Sequence, residues 1–391
     1  MNKEKINLVW LKRDLRLHDN EAISRAIKNG KRFLIFYAFE KILINDPHYN
    51  SRHWNFIKQS LVDLNSELKE HQSKILSVAS DVIGLCNQIQ NFYTIETIYS
   101  HQETGILTTY TRDKEFKRYC RNNNIDWKEN VNNGVQRGLK HRENWFDEWE
   151  IFMNKKIEVF NPLDNQLLNI DDILTLENIS NPAVLETSTN EKFQRGGRSL
   201  GYRYLNSFFK ERHKDYMFNI SKPNSSRTSC SRLSPYLAWG NLSVREVFQM
   251  GRREKTKKNA KHIGAFLSRL RWQAHFIQKF ETTSLELGGS YISRSEIYSD
   301  LFNLNLGIYF TKVENTHFLI KAEYFQSLQE PNNQEFVISE FPSFESYLNM
   351  QFGLNVHFDK FELQFDYNYV PWGKSYWVMN RLNTSFHYFI K

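Results

Sequence analysis

Residues 228–243 read Thr-Ser-Cys-Ser-Arg-Leu-Ser-Pro-Tyr-Leu-Ala-Trp-Gly-Asn-Leu-Ser, with hydroxyls and a guanidinium gathered ahead of an apolar segment. Hydroxyls, an arginine and backbone N–H groups at a turn are donors that suit a phosphate or diphosphate. Taken by itself, the segment reads more readily as a serine-rich loop capping a helix at Pro235. A second set of residues is basic: Arg195, Arg198, Arg203, Lys210 and Arg212, then Arg252–Lys258 with Lys261. Such spacing fits contacts along a phosphate backbone or, as readily, the solvated face of a helix.

The charge of the whole chain, +8 over 391 residues, hides an asymmetry. From Thr283 onward there are 7 Lys+Arg against 12 Asp+Glu, a net −5, so the first 282 residues carry +13. A basic balance of that size fits a polyanionic partner, because neutralising phosphates releases counterions, and fits a lysine-rich solvated surface equally well. Cys86, Cys120 and Cys230 are widely spaced, which predicts neither a zinc site nor a disulfide framework and fits reduced thiols in a cytoplasmic location. The N-terminal residues lack the apolar core of an export signal, and no apolar run is long enough for a membrane-spanning helix.

Short apolar runs at Ile6–Leu11, Phe33–Phe39, Ile75–Val78 and Thr94–Tyr99 alternate with segments of helical period such as Trp54, Ile57, Leu61, Leu64 and Leu68. This alternation predicts a doubly wound parallel α/β domain over 1–128, with its ligand crevice at the carboxyl ends of the strands. No G-x-G-x-x-G follows the first strand; Lys12–Asn20 stands in its place. An Asn-rich span interrupted by Pro162 and Pro182 predicts an interdomain linker over 129–189. Helical periodicity returns over 190–281, where Ser243 and Glu246 have the spacing of a capping box.

Taken in order, Trp10–Asn20, Thr228–Ser243 and Phe266–Phe280 resemble the cryptochrome/photolyase family over about the first 281 residues. The resemblance implies that 190–281 is an incomplete all-α flavin-binding domain holding FAD. In the family a tyrosine precedes the phosphate segment, and Tyr216 takes that position. The family's Thr-Ser-x-Leu-Ser pattern falls on Cys230, Ser231, Arg232, Leu233 and Ser234, so a thiol replaces a threonine hydroxyl, with Thr228 or Ser229 close by. Trp272 falls where the family places an aromatic residue on the floor of its DNA-lesion cavity, with Gln273, Arg195 and Arg198 as DNA contacts. Trp272 is followed by Gln273-Ala274 where many photolyases have Arg-Glu. The implied activity is light-driven repair of cyclobutane pyrimidine dimers in ultraviolet-damaged DNA by a carbon–carbon lyase, expected to be inactive in this shortened form. The alternative is a cryptochrome blue-light photoreceptor. The family also implies an antenna pigment, folate or flavin/deazaflavin, in the first domain, with His101, Glu103 and Asn133–Leu139 at its ligand side. No protein partner is inferred.

Beyond Thr283 the period changes to two. Leu348, Met350, Phe352, Leu354, Val356 and Phe358 alternate with polar or small residues, and Phe361, Leu363, Phe365, Tyr367 and Tyr369 do the same after a turn at Asp359-Lys360. The segments 301–310, 317–325 and 382–390 repeat the style. Runs of about ten residues, apolar on one side and rich in Phe and Tyr, resemble the strands of a bacterial outer-membrane β-barrel. The tail 283–391 is thus expected to be an antiparallel β-meander foreign to the family, prone to associate with membrane or to aggregate. A soluble sheet with one wet face is the other reading.

Overall fold

The computed structural model describes residues 3–139, 144–179, 193–281 and, beyond these, the strands 283–292, 301–313, 316–327, 347–358, 361–372 and 381–388. Two compact units emerge: Met1–Arg137 with Asp147–Ile277, and Gly138–Phe146 with Gln278–Lys391. The expected start near 190 and the turn at Asp359-Lys360 lie outside the described residues.

The first unit opens with β1 (Lys5–Trp10), α1 (Glu21–Asn29), β2 (Phe33–Ala38), α2 (Lys41–Ile44), α3 (Ser51–Leu68), β3 (Leu76–Val78), α4 (Val82–Gln90), β4 (Thr94–His101), α5 (Leu107–Asn122) and β5 (Asp126–Asn130). The strands form one sheet in the order β3-β2-β1-β4-β5, with every neighbouring pair parallel. Successive residues of β1 feed opposite faces, as the pleat requires. Ile6, Leu8 and Trp10 pack with Leu85, Ile89 and Phe116 on one side; Val9 and Leu11 pack with Ile23, Ile57 and Leu61 on the other. Both faces are therefore buried, the condition under which a parallel strand reads as a continuous apolar run.

The four apolar runs of the sequence correspond to β1–β4. The fifth strand, Asp-Trp-Lys-Glu-Asn, carries no such run, because an edge strand needs only one partner and tolerates charge. Two helices, α6 (Trp145–Asn154) and α7 (Ile170–Ile179), fall within the span that the sequence suggests is a linker. Ile173 and Leu176 of α7 join the sheet's core, and Trp149 and Met153 of α6 are buried one helical turn apart.

The helical part continues with α8 (Arg198–Lys210), α9 (Tyr216–Asn219), α10 (Pro223–Ser229), α11 (Ser234–Ala238), α12 (Val244–Glu254) and α13 (Ala260–Glu281). Proline at the start of α11 gives up only an amide that a helix start leaves unpaired. The capping box at α12 forms as its spacing predicts: Glu246 N donates to Ser243 Oγ at 2.9 Å, and Ser243 N to Glu246 Oε1 at 2.6 Å.

In the second unit, β6 (Thr283–Ile292), β7 (Leu301–Val313), β8 (Thr316–Ser327), β9 (Tyr347–Phe358), β10 (Phe361–Trp372) and β11 (Arg381–Tyr388) form a six-stranded sheet ordered as in the sequence. Every neighbouring pair is antiparallel.

Candidate functional site

The loop after β1 clasps the helical part. Leu15 N donates to Trp239 O at 3.0 Å, Arg16 Nη1 to Gly240 O at 3.1 Å, and Asn241 Nδ2 to Leu15 O at 3.2 Å. Gly240 sits at φ +69°, where a Cβ would lie 2.3 Å from Arg13 O, so both its conformation and this close approach require glycine. Below it, buried Asp19 accepts from Arg245 Nε at 3.0 and 3.1 Å and pairs with Arg245 Nη2 and Ser243 Oγ. Burial opposes the charge on Asp19, yet Arg245, Arg16 and Ser243 outweigh it and hold the carboxyl below its ordinary range. Asp14 behaves alike: burial is overcome by its 2.6 Å bond to His101 Nδ1, by Arg16 and by the Lys12 amide.

This clasp sets α8–α13 on the sheet domain and with them the hydroxyl-rich segment. Arg212 holds that segment from behind. Its guanidinium donates to Cys230 O, to Ser231 O at 3.2 Å and to Tyr204 O at 2.6 Å. Arg232 stands at φ +59°, and its carbonyl accepts from Gln194 Nε2 at 2.9 Å. The hydroxyls of Thr228 and Ser229 are spent on Ser225 O within α10. By contrast, among the described residues the side chains of Ser231, Arg232 and Ser234 have no hydrogen-bond partner, and they are half-buried or exposed. Two hydroxyls and one guanidinium are thus left without internal partners on a braced backbone.

Tyr216 is buried against Phe208 and Phe266, at ring-centroid separations of 5.4 and 5.9 Å. Burial chiefly, and then Cys230, push its phenol up to about 12, with Arg269 pulling the other way. Tyr216 therefore stands within electrostatic reach of both the Ser-rich segment and α13. On α13 the Arg269 guanidinium lies 5.3 Å from the Trp272 ring, and Trp272 meets Phe276 edge-on at 5.8 Å. Trp272 and Phe276 are 50% and 55% exposed, so this tryptophan is no core residue and offers a stacking surface. Gln273 is half-buried beside it.

The two arginines singled out for DNA contact differ. Arg195 is exposed, and its guanidinium has no partner among the described residues. Arg198 instead makes a bidentate pair with Glu246, at 2.9 and 2.8 Å, and donates to Asn241 O at 3.1 Å. A guanidinium so engaged braces α8 against α12.

The crevice at the carboxyl ends of β1, β2 and β4 is occupied by paired charged side chains. Arg112 donates to Glu40 at 2.6 Å, to Glu103 at 2.7 Å and to Asp113 at 2.8 and 3.1 Å, with its guanidinium 4.7 Å from the Trp10 ring. Burial would lower the pKa of Arg112, but the three carboxylates raise it. Lys12 Nζ, Arg13 Nε and Glu40 Oε1 are buried there without hydrogen-bond partners, which marks a place for water or another small polar group. The remaining cavity is about 20 Å³. That is room for about one water, against roughly 300 Å³ or more for a drug-sized ligand. As packed, the crevice does not fit a pigment ring. His101 and Glu103, offered by sequence as antenna contacts, are committed to Asp14 and Arg112. This network escaped sequence reasoning because Glu40, Arg112 and Asp113 belong to no local motif.

Residues 7–138 match the DNA photolyase family model. Cryptochrome-2 of Arabidopsis thaliana is 25% identical over 282 residues, covering 64% of this chain and 44% of that protein. Cryptochrome DASH of Synechocystis sp. is 32% identical over 101 residues, 25% of this chain and 21% of its own length. The chain therefore spans less than half the length of these relatives. Among solved structures, a Synechocystis cryptochrome superposes with a TM-score of 0.55 at 21% identity, covering 72% of this chain and 62% of that one. A Sulfolobus tokodaii photolyase described with two FAD molecules gives 0.51 at 21% identity over 71% and 59%. At such identity these two likenesses speak for the fold.

Proposed function

We propose that the chain belongs to the photolyase/cryptochrome family, whose DNA photolyase model residues 7–138 match, and that it is a flavoprotein of the kind that acts on ultraviolet-damaged DNA, receiving the diphosphate of FAD at Ser231, Arg232 and Ser234, beside Tyr216. The observation that carries this reading is the set of unengaged donors on the segment that Arg212 braces. The replacement of a threonine hydroxyl by Cys230 weakens one donor position, since a thiol is a poor hydrogen-bond partner. FAD bound there would supply light-driven electron transfer, the chemistry that splitting a cyclobutane pyrimidine dimer needs. The chain's own residues orient and bind: Arg212 fixes the loop carbonyls, Arg232 and the two serines meet phosphate, Trp272 stacks on an extruded base, and Arg195 and Gln273 hold the strand. A pigment in the sheet's crevice, folate or flavin/deazaflavin, would require Arg112 to leave Trp10.

Binding of dimer-containing and undamaged oligonucleotides, measured by fluorescence anisotropy, tests the lesion half of this reading. Base stacking is worth about 1–3 kcal/mol, so Trp272→Ala should cut the preference for the dimer by roughly fivefold to a hundredfold. Arg195→Ala should weaken both DNAs alike. Absence of any preference in the parent chain refutes the repair reading. Gln273-Ala274 after Trp272 favours a second reading, a blue-light photoreceptor of the cryptochrome kind. It predicts flavin binding without preference for the dimer.

A further inference from the structure

The outer face of α5 is a stripe of positive charge. Tyr110, Lys114, Lys117, Arg118 and Arg121 are all exposed, and the four cationic side chains have neither an ion-pair nor a hydrogen-bond partner among the described residues. Their spacing, i, i+4, i+7, i+8 and i+11, keeps them on one helix face, so the stripe runs for about 16 Å at a rise of about 1.5 Å per residue. At its start Lys114 Nζ lies 4.2 Å from the centre of the Tyr110 ring, which is 50% exposed. The helix carries two carboxylates. Asp113 is buried and bound to Arg112, which leaves Glu115 alone against the exposed cations. A helix face that serves only to meet water usually mixes its signs more evenly.

The adjoining surface adds hydrogen-bond donors. Tyr119 OH donates to Asn87 Oδ1 at 2.7 Å and to Gln90 Oε1 at 3.0 Å, which ties α5 to α4 and leaves the NH2 groups of both amides as donors. Asn91 and Asn122 are exposed on the same two elements. Lysine, arginine and amide donors around an exposed aromatic ring make up a surface that meets phosphate oxygens.

Topology separates this face from the hydroxyl-rich segment and Trp272. Phe116 and Cys120 of α5 pack with Leu85 and Ile89 on one side of the parallel sheet. Trp54, Ile57 and Leu61 of α3 pack on the other. It is α3 that receives the helical part: Gly196 N donates to Gln59 Oε1 at 2.8 Å, and Ser199 Oγ to Asp63 Oδ1 at 2.7 Å. The stripe therefore lies across the sheet from the site described above.

We propose that the outer face of α5 is a second, sequence-independent docking surface for the phosphate backbone of duplex nucleic acid. Its apolar residues Phe116 and Cys120 are spent on the core, and Tyr110 is the one large hydrophobic exposed on the described part of the helix. The face thus offers charge without the apolar wedge by which amphipathic helices enter a membrane. This inference goes beyond the flavin and lesion reading and does not depend on it.

Anisotropy titrations of the full chain with a short undamaged duplex, between about 50 and 200 mM salt, give the slope of log K against log salt, which counts neutralised phosphates at about 0.9 each. The variant carrying Lys114→Gln, Lys117→Gln, Arg118→Gln and Arg121→Gln keeps good helix formers at exposed positions. It should flatten the slope by about 3–4 and weaken binding at least about tenfold at the lowest salt. A control that loses the same charge elsewhere, Lys41→Gln, Lys69→Gln, Lys155→Gln and Lys156→Gln, should flatten it by less than about 1. The preference for dimer-containing DNA, which Trp272→Ala should reduce, should survive in the α5 variant, so failure of this proposal and failure of the lesion reading are distinguishable. In the unaltered chain, acetylation followed by mass spectrometry should be slowed severalfold by duplex at Lys114 and Lys117 and not at Lys41. A parent chain that does not bind the duplex, equal flattening by the control, unprotected Lys114, or binding of phosphatidylserine vesicles in preference to duplex overturns the proposal.

Discussion

Removing the carboxylate of Asp19 should loosen the seam between the sheet domain and α8–α13. Asp19 is 2% exposed and sits at φ +51°, a conformation that asparagine tolerates, so Asp19→Asn removes charge without backbone strain. The substitution leaves Arg245 and Arg16, both buried, facing a neutral amide. Breaking a buried pair from one side costs about 3–5 kcal/mol. At about 2–4 °C per kcal/mol for a domain of this size, the unfolding midpoint should fall by roughly 6–20 °C. Arg245→Met should cost a similar amount, leaving Asp19 with Ser243 and Arg16. The double variant should cost less than the sum of the singles by about 1–3 kcal/mol, because no orphaned partner remains from the pair. Thermal and urea unfolding followed by tryptophan fluorescence would supply the cycle. Asp19→Asn costing under about 1 kcal/mol, or singles that add to within about 0.5 kcal/mol, would refute the claim that this ion pair holds the seam.

Acid should open the same seam. Asp14 and Asp19 both have folded pKa values below their ordinary ones, so their stabilisation is complete above the unfolded value of about 4 and is lost as pH falls through the folded values. A pH titration of unfolding midpoints checks the sign, and a seam that strengthens below pH ~4 contradicts it. Gly240→Ala should destabilise by about 1–3 kcal/mol or more, since its Cβ meets Arg13 O at 2.3 Å, whereas Gly30→Ala, with nothing within 4 Å, should carry only the cost of its positive φ. Equal effects of the two in urea unfolding would refute the close approach. The purified chain should retain no folate or deazaflavin in its sheet crevice, read by absorbance after gel filtration, because Arg112 and its carboxylates fill it; stoichiometric retention would show that the network yields.

What the sequence made legible follows from physical locality. The first four strands, the inner β2, β1 and β4 and the edge strand β3, announce themselves because nearly all of their residues are buried, so their apolar runs stand out. The capping box at Ser243 is likewise written in four consecutive residues. β5 was hidden because an edge strand of Asp-Trp-Lys-Glu-Asn satisfies its pairing without apolar burial. The helices α6 and α7 were hidden by flanking prolines and asparagines that dilute their period. At the site, the hydroxyl-rich segment and Trp272 were visible as residue types. The brace from Arg212, the engagement of Arg198 by Glu246 and the filling of the crevice by Arg112 all depend on partners distant in the chain. No local spacing encodes such pairs. The alternation from Thr283 onward is again local, which is why the meander and its two sides could be read before its register was known.

The most direct test of the functional account is equilibrium titration of the purified chain with FAD, ADP and riboflavin, followed by flavin fluorescence and by competition. If Ser231, Arg232 and Ser234 receive a diphosphate, ADP displaces FAD, riboflavin does not compete, and Arg232→Ala abolishes the binding of both phosphate-bearing ligands. Affinity should be weak, with little yellow colour surviving purification, because Trp272 and Phe276 stand half exposed rather than enclosing a ring. Tight, stoichiometric flavin, or riboflavin that competes as well as ADP and ignores Arg232→Ala, would contradict a site built around phosphate.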